Sequence, residues 1–149
     1  MMILCPHFLI DIMKNLVIIG AGGMGRTIFD VARESIGYGI EYTIKGFIDD
    51  NLSALDGFED YPPMLGTISH YLPEVDDVFT FSIGGESRRV CIEYLMERNA
   101  KFINIVHSTA RIGSNVRMGE GNVIGAFTSL GADCSIGSYN MIQSYTVIG

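Results

Sequence analysis

An aliphatic residue or a methionine recurs at every sixth position through the last third of the sequence. Glycine follows six of these eight positions, which we call anchors, and the fourth residue after an anchor is modest in size, as in Ala110 and Asn122. A helix repeats about every 3.6 residues and a strand about every two, so only a fixed internal repeat explains this register. The anchors are Val106, Ile112, Met118, Ile124, Leu130, Ile136, Ile142 and Ile148.

The repeat predicts a β-solenoid. Each six-residue unit forms one short strand and one corner, so three units close a triangular coil of eighteen residues. Each anchor points inward and stacks on the anchor one coil later, and the glycines relieve crowding at the corners because they adopt backbone conformations that other residues avoid. Two complete coils, 106–123 and 124–141, and eight residues of a third are expected in the segment 106–149.

The distribution of charge and cysteine excludes several classes of protein. The 149-residue chain has a formal net charge of −7, yet the four charged residues of the repeat cancel, so the acidity lies before it. No basic stripe favours binding to nucleic acid. The three cysteines have no CxxC spacing, which is typical of reduced thiols in a cytoplasmic protein rather than of a disulfide framework.

Residues 1–13 are interpreted as an N-terminal extension without a functional role. Their apolar run has neither the basic start nor the small-residue cleavage site of a signal peptide. The run is also too short to span a bilayer, so no membrane association is expected.

Residues 14–105 predict a small Rossmann-like domain with a parallel sheet. A continuous apolar run, Asn15 to Ile19, is typical of a buried parallel strand and leads into GAGGMG, which fits the pattern G-x-G-x-x-G. A helix should follow, with Ile36 on its apolar side and with Gly37 and Gly39 at its end. The glycines would let backbone N–H groups at the start of this helix face a phosphate.

Two acidic residues follow the second predicted strand, Tyr42 to Ile48. Asp49 and Asp50 lie at the distance from the glycines at which dinucleotide-binding folds place a ribose-binding carboxylate. Strand, glycines, helix, strand and acid in this order predict a nucleotide-type ligand. A tight turn between strand and helix with no ligand is the alternative.

The remainder of this domain continues the alternation of strands and helices. A third strand is predicted from Asp77 to Ile83, a helix from about Glu86 to Asn99, and a fourth strand from Lys101 to Ile105. Arg88, in the first turn of that helix, could reach a diphosphate or lie on a solvated face. The domain is too short for a complete two-halved dinucleotide fold.

Together these motifs resemble the sugar O-/N-acyltransferases of the sialic acid O-acetyltransferase (NeuD) and PglD family. The resemblance covers residues 14–149 and is carried by GAGGMG, GFIDD, SIGG and NIVHSTARIG, the last of which opens the repeat. It implies a left-handed parallel β-helix, a cytoplasmic homotrimer without metal, and acetyl-CoA as co-substrate between the coils of neighbouring subunits. A UDP-sugar is expected in the N-terminal domain.

The resemblance also implies which residues bind the substrate. The glycines of GAGGMG would face the diphosphate, and the two acidic residues would contact the nucleoside. The family often has histidine where this chain has methionine, which removes one polar contact. The substrate-binding residues expected in this way are Gly20, Gly22, Gly23, Met24, Gly25, Asp49, Asp50, Gly84 and Arg88.

Acyl transfer from a thioester requires the attacking amine or hydroxyl to lose a proton, and a neutral histidine suits this task. In similar enzymes that histidine follows the segment matching residues 141–149, so it is expected beyond Gly149. His107 is interpreted as structural, and Gln143 either orients the base or acceptor or is a packed polar residue. The chain is therefore expected to be truncated at its C-terminus and to have little or no acetyltransferase activity.

Three classes of function stay open at this point. The first is an acetyltransferase acting on an amino or hydroxyl group of a sugar in surface-glycan precursor synthesis. The second is a non-catalytic module that binds a nucleotide or a UDP-sugar. The third, disfavoured because no substrate domain follows, is an NAD-dependent oxidoreductase domain. A metal-dependent hexapeptide enzyme would need several histidine ligands in the repeat, which contains one.

Overall fold

A computed structural model of the protein describes residues 12–149. Most of the predicted N-terminal extension, up to residue 11, lies outside the described residues. The N-terminal domain is a parallel sheet in the order β3-β2-β1-β4 with one helix on each face. Its elements are β1 Lys14–Ile19, α1 Gly23–Arg33, β2 Tyr42–Ile48, β3 Met64–Gly66, β4 Asp77–Phe81 and α2 Gly85–Met96.

Both faces of the sheet are buried, as the continuous apolar run of β1 predicts. Leu16 and Ile18 pack against α1, whereas Val17 and Ile19 point to the opposite face and pack against α2. All four side chains are fully buried. The sheet therefore holds the carboxyl end of β1 in a fixed position between the two helices.

The repeat forms a parallel β-helix whose strands pair at a spacing of eighteen residues. The anchors stack as predicted, with Val106 opposite Ile124 and Ile124 opposite Ile142. Three stacks result, β5-β8-β11, β6-β9-β12 and β7-β10. The strands are β5 Ile105–Val106, β6 Arg111–Ile112, β7 Arg117–Met118, β8 Val123–Ile124, β9 Ser129–Leu130, β10 Ser135–Ile136, β11 Met141–Ile142 and β12 Val147–Ile148.

The predicted reason for the glycines after the anchors is wrong. The left-handed backbone conformation occurs two residues later, at the third residue after each anchor from Ile112 to Ile142, where φ is between 55° and 71°. At Gly113, Gly119 and Gly125 the glycine is needed because the next coil passes very close. A Cβ atom on Gly113 would lie 2.7 Å from the backbone nitrogen of Ala132, and one on Gly125 would lie 2.6 Å from that of Ser144.

An asparagine ladder crosses the interior of the coils. Asn122 is fully buried, and its Oδ1 accepts hydrogen bonds from the backbone N–H and the side-chain amide of Asn140, at 2.9 and 3.0 Å. One coil earlier, Asn104 Oδ1 accepts from the backbone N–H of Asn122 at 2.8 Å. The residues at these positions are therefore small enough for their polar side chains to hydrogen-bond to one another inside the coils.

Several predicted element boundaries need correction. Ile36 lies beyond the end of α1 and is 63% exposed, because the chain leaves the helix to contact the first coil, where the Ile36 N–H donates to the carbonyl of Val106 at 3.1 Å. β4 ends at Phe81 rather than at Ile83, and α2 ends at Met96 rather than at Asn99. The short edge strand β3 was not predicted.

The predicted fourth strand from Lys101 to Ile105 is mostly absent as a strand. Only Phe102 bridges to the sheet, opposite Phe79, because Ile105 already pairs with Val123 in the coils. No helix in the described part of the chain is long and apolar enough to cross a membrane.

Candidate functional site

The largest concentration of predicted site residues lies at the carboxyl end of the sheet, between β1 and β4. The chain proceeds from β1 to β2 on one side and later returns to β4 on the other, so the strand order reverses at this point. Ligands of open parallel sheets bind in the crevice at such a reversal. A cleft of about 410 Å³ occupies this place, and we call it the sheet cleft.

Two helices begin at the sheet cleft. Gly22 precedes α1 and Gly84 precedes α2, both glycines line the cleft, and neither helix has a side-chain hydrogen bond at its N-terminus. The first N–H groups of a helix have no acceptor within the helix, and the helix dipole makes this end attractive to anions. The cleft thus offers two sets of backbone donors suited to a diphosphate.

The close approach of α1 to the sheet depends on Gly25. This residue is buried, and a Cβ atom built on it would lie 2.7 Å from the carbonyl carbon of Gly20 and collide with its oxygen. Gly20 has φ +94°, a left-handed value that glycine adopts without strain. Both residues are therefore required by the tight turn from β1 into α1.

The two acidic residues of the sheet cleft have different surroundings. Asp49 uses both carboxylate oxygens within the protein, accepting from the N–H of Ala21 at 2.8 Å and from the N–H of Asn51 at 2.8 Å. Asp50 is exposed, and one of its oxygens accepts from the N–H of Ile68 at 3.1 Å. Asp49 therefore holds the glycine turn. Asp50 lines the cleft with one carboxylate oxygen outside this hydrogen bond.

Seven of the nine residues predicted to bind substrate line the sheet cleft, namely Gly20, Gly22, Met24, Gly25, Asp49, Asp50 and Gly84. Gly23 is exposed and does not form part of the cleft wall. Arg88 is not part of the cleft wall. Its guanidinium carbon lies 5.2 Å from the centre of the Phe81 ring at the end of β4, and it lines a separate cavity with coil residues. The five lining residues that were not predicted are Ile68, Ser82, Ile83, Ser87 and Cys91.

Of these unpredicted residues, Ser82 and Cys91 have defined roles in the wall. The Ser82 hydroxyl donates to the carbonyl of Ile19 at 2.8 Å and thereby ties the end of β4 to the end of β1. Burial, together with the neighbouring carboxylate of Asp50, raises the pKa of the Cys91 thiol. The glycines after β4 were the available signal for this wall, since they mark a second strand-to-helix turn.

A second cavity lies between α1 and the coils, and we call it the coil pocket. It has a volume of about 190 Å³. One wall is the apolar side of α1 with Ile28 and Val31, and the other is formed by coil residues that include Met141 and Gln143. Gln143, predicted to support the chemistry or to pack in the coil, is exposed and faces this pocket.

The histidines of the described residues lie away from both cavities. His107 is buried, and its Nδ1 accepts from the backbone N–H of Thr109 at 3.1 Å, so its Nε2 donates to Glu34 at 2.7 Å. His70 is exposed and bonds to Thr67 at 2.9 Å. Within residues 12–149 no cluster of three or more histidine, cysteine, aspartate or glutamate side chains is arranged to hold a metal ion.

The fold and the sheet cleft define a class of protein in which a Rossmann-like domain is joined to a hexapeptide-repeat β-helix. Comparison with known families agrees in both halves. Residues 15–95 match the PglD N-terminal domain, and residues 115–149 match the bacterial transferase hexapeptide (six repeats). The chain belongs to the PglD family of sugar acyltransferases.

Individual relatives show the same combination. The chain is 30% identical over 116 residues to the UDP-N-acetylbacillosamine N-acetyltransferase of Bacillus subtilis (strain 168), a match that covers 74% of this chain and 51% of that protein. The chain therefore spans about half the length of that curated relative.

Two solved structures share the fold at lower identity. PerB from Caulobacter crescentus, in complex with CoA and GDP-perosamine, superposes with a TM-score of 0.73 and 24% identity over 91% of this chain and 62% of that one. The acetyltransferase domain of PglB from Neisseria gonorrhoeae FA1090, in complex with acetyl coenzyme A, superposes with a TM-score of 0.69 and 22% identity. That match covers 91% of this chain and 67% of the other.

Proposed function

We propose that the protein acts in the transfer of an acetyl group from acetyl-CoA to an amino group of a nucleotide-activated sugar. The observation that carries this proposal is the sheet cleft, whose two helix starts and exposed carboxylate suit a nucleoside diphosphate and which shares Met24 with the pocket beside the coils. An N-acetyl product, rather than an O-acetyl product, is favoured by the curated relative, which is named as an N-acetyltransferase.

The residues of the sheet cleft would bind the nucleotide part of this substrate. The N–H groups at the starts of α1 and α2 would hold the diphosphate, and the exposed carboxylate of Asp50 would accept hydrogen bonds from the nucleoside. Asp49 would keep the glycine turn in its binding conformation through Ala21. The sugar would then extend toward the coil pocket, where Gln143 lies.

In the chemical step the amine nitrogen bonds to the thioester carbonyl carbon, the carbon–sulfur bond breaks, and CoA leaves as its thiol. A base is needed to accept the proton of the attacking amine and to return it to the leaving thiolate. His107 does not fill this role, because both of its ring nitrogens are engaged within the protein. A histidine following Gly149 stays a prediction, as do the homotrimer and an acetyl-CoA site between the coils of neighbouring subunits.

The shape of the sheet distinguishes this proposal from an NAD-dependent oxidoreductase domain. A dinucleotide fold has two mononucleotide-binding halves. The described residues contain one such sheet, of four strands, and the chain then continues directly into the coils. A single nucleoside diphosphate fits this arrangement better than a dinucleotide does.

Titration calorimetry with UDP, GDP, UDP-N-acetylglucosamine, GDP-mannose and NAD⁺ tests the proposal. A nucleoside diphosphate and its sugar conjugate should bind, and NAD⁺ should not. Asp50→Asn should weaken this binding by about tenfold, the effect of one lost hydrogen bond to a charged group. Asp56→Asn is the matched control, since Asp56 is exposed and outside the cleft wall. Binding of NAD⁺ alone would contradict the proposal.

A further inference from the structure

The sheet cleft and the coil pocket share one lining residue, Met24. The cleft includes the glycine turn and the pocket reaches the coils, so Met24 lies between the two cavities. This position follows from the sequence of α1, in which Met24 is the second residue.

Met24 also begins an apolar stripe along α1. Ile28 and Val31 follow it at spacings of four and seven residues, which places all three on one face of the helix. Ile28 and Val31 line the coil pocket with Met24. Long side chains of a helix lean toward its N-terminus, so the thioether of Met24 extends toward the glycine turn.

The two walls of the coil pocket differ in chemistry. The wall on α1 is mostly apolar, and its one hydroxyl, on Thr27, donates to the carbonyl of Gly23. The opposite wall combines apolar side chains with the polar residues Gln143 and Ser144. One face of a sugar ring is less polar than its edge, which carries the hydroxyl groups. Such a ring therefore matches a pocket with these two kinds of wall.

We propose that Met24 is a specificity-determining residue that contacts the sugar and not the nucleotide. This inference rests on the proposed function, because it requires a nucleoside diphosphate in the sheet cleft. The diphosphate would be bound by backbone groups on the cleft side of Met24, and the sugar would pass over the thioether toward Gln143. The 40% exposure of Met24 leaves its side chain accessible for this contact.

The test compares a nucleoside diphosphate with its sugar conjugate by titration calorimetry on the whole chain. The probes are UDP with UDP-N-acetylglucosamine and GDP with GDP-mannose, and the pair that binds to the unaltered protein is used. The dissociation constant of the diphosphate divided by that of its sugar conjugate measures the contribution of the sugar. Met24→Ala should reduce this ratio about fivefold, as expected when roughly 40 Å² of apolar contact is lost. The dissociation constant of the free diphosphate should change by less than about twofold.

Met24→Leu is the matched control, since it keeps an apolar side chain of similar size and should keep the ratio. Melting temperatures of both variants report whether they fold. An equal loss of affinity for the diphosphate and for its sugar conjugate in Met24→Ala would overturn the inference, as would an unchanged ratio. If neither diphosphate binds to the unaltered protein, the proposed function fails first and this inference fails with it.

Discussion

Replacement of Gly25 by alanine tests whether the close contact between α1 and the end of β1 determines stability. The added methyl group would meet the carbonyl of Gly20 and lie 3.2 Å from the hydroxyl oxygen of Ser82. Since the carbonyl belongs to the backbone, it cannot rotate away as a side chain would. The start of α1 must therefore move away from the sheet, and the wall of the sheet cleft moves with it.

The magnitude follows from two opposing effects. Overpacking of this kind costs up to about 3 kcal/mol, and alanine gains about 1 kcal/mol over glycine in a helix, which leaves a loss of about 2 kcal/mol. An unfolding entropy of about 2.1 cal/mol/K per residue converts this loss over 149 residues into a fall in melting temperature of about 6 °C. Calorimetry and urea unfolding followed by circular dichroism measure both quantities.

Gly23→Ala is the control within the same helix. The nearest atom to a Cβ on Gly23 belongs to the side chain of Arg26, at 3.9 Å. This variant should be neutral or more stable by up to about 1 kcal/mol. The reasoning is refuted if Gly25→Ala unfolds at the same temperature and urea concentration as Gly23→Ala.

Three further substitutions test other parts of the fold. Asp77→Asn should lower the free energy of unfolding by about 2 kcal/mol at pH 7, since the fully buried carboxylate accepts from Lys45 at 2.9 Å. Asp76→Asn, which removes a charge from a partly exposed pair with Lys14, should cost less than about 1 kcal/mol in the same urea titration. Although burial opposes it, hydrogen bonds from Tyr71, the backbone of Glu74 and Lys45 hold the pKa of Asp77 below its ordinary value. The stabilisation is therefore present above the ordinary pKa of an aspartate. The difference in free energy of unfolding between Asp77→Asn and the unaltered protein should narrow as the pH falls below about 4. A difference that is constant with pH would contradict this. Asn122→Ala should lower the free energy of unfolding by about 3 kcal/mol in urea titration, because it leaves buried amide groups without partners. A decrease below about 1 kcal/mol would show that the asparagine ladder adds little to stability. Phe127→Gly should unfold at the same or a higher temperature because it relieves a left-handed conformation at an exposed side chain, and a lower melting temperature would show that stacking on Tyr145 outweighs this strain.

The stacking of the coils was predictable because every pair of anchors is separated by the same number of residues. The backbone conformation at the corners was not predictable, since the residues in the left-handed conformation include Phe127, Tyr139 and Tyr145. Large aromatic residues give no local signal for that conformation, which is costly for them. At Tyr139 the strain is accompanied by contacts that depend on the fold, because its ring packs on Phe102 at 5.4 Å and its hydroxyl donates to Glu120 at 2.9 Å.

The half of the sheet cleft at β1 and β2 was predictable from local sequence, whereas in the other half only Gly84 was. The glycines after β1 and the acids after β2 meet because these strands are neighbours in the sheet. Ser87 and Cys91 come from α2, and they reach the cleft only because β4 pairs with the other side of β1. That pairing is a property of the strand order, which the spacing of motifs does not determine.

The edge strand β3 and the end of α1 show how tertiary contacts override local preference. β3 follows Pro62 and Pro63 and is only three residues long, so its sequence has little strand character, yet it completes the edge beside β2. Ile36 continues the apolar pattern of α1 but lies outside the helix, because its backbone pairs with the first coil instead.

This attachment of α1 to the coils bears on how the two cavities are positioned. At one end α1 supplies backbone donors to the sheet cleft, and at the other end Glu34 accepts from His107 at 2.7 Å while its carbonyl accepts from the N–H of Ser108 at 3.1 Å. Ile105 and Val123 of the coils share a buried apolar cluster with α1. α1 is thus anchored at both ends, and Met24, in its first turn, lines both cavities. His107 therefore holds the end of α1 against the coils, and because both of its ring nitrogens are engaged within the protein, it serves this contact rather than proton transfer.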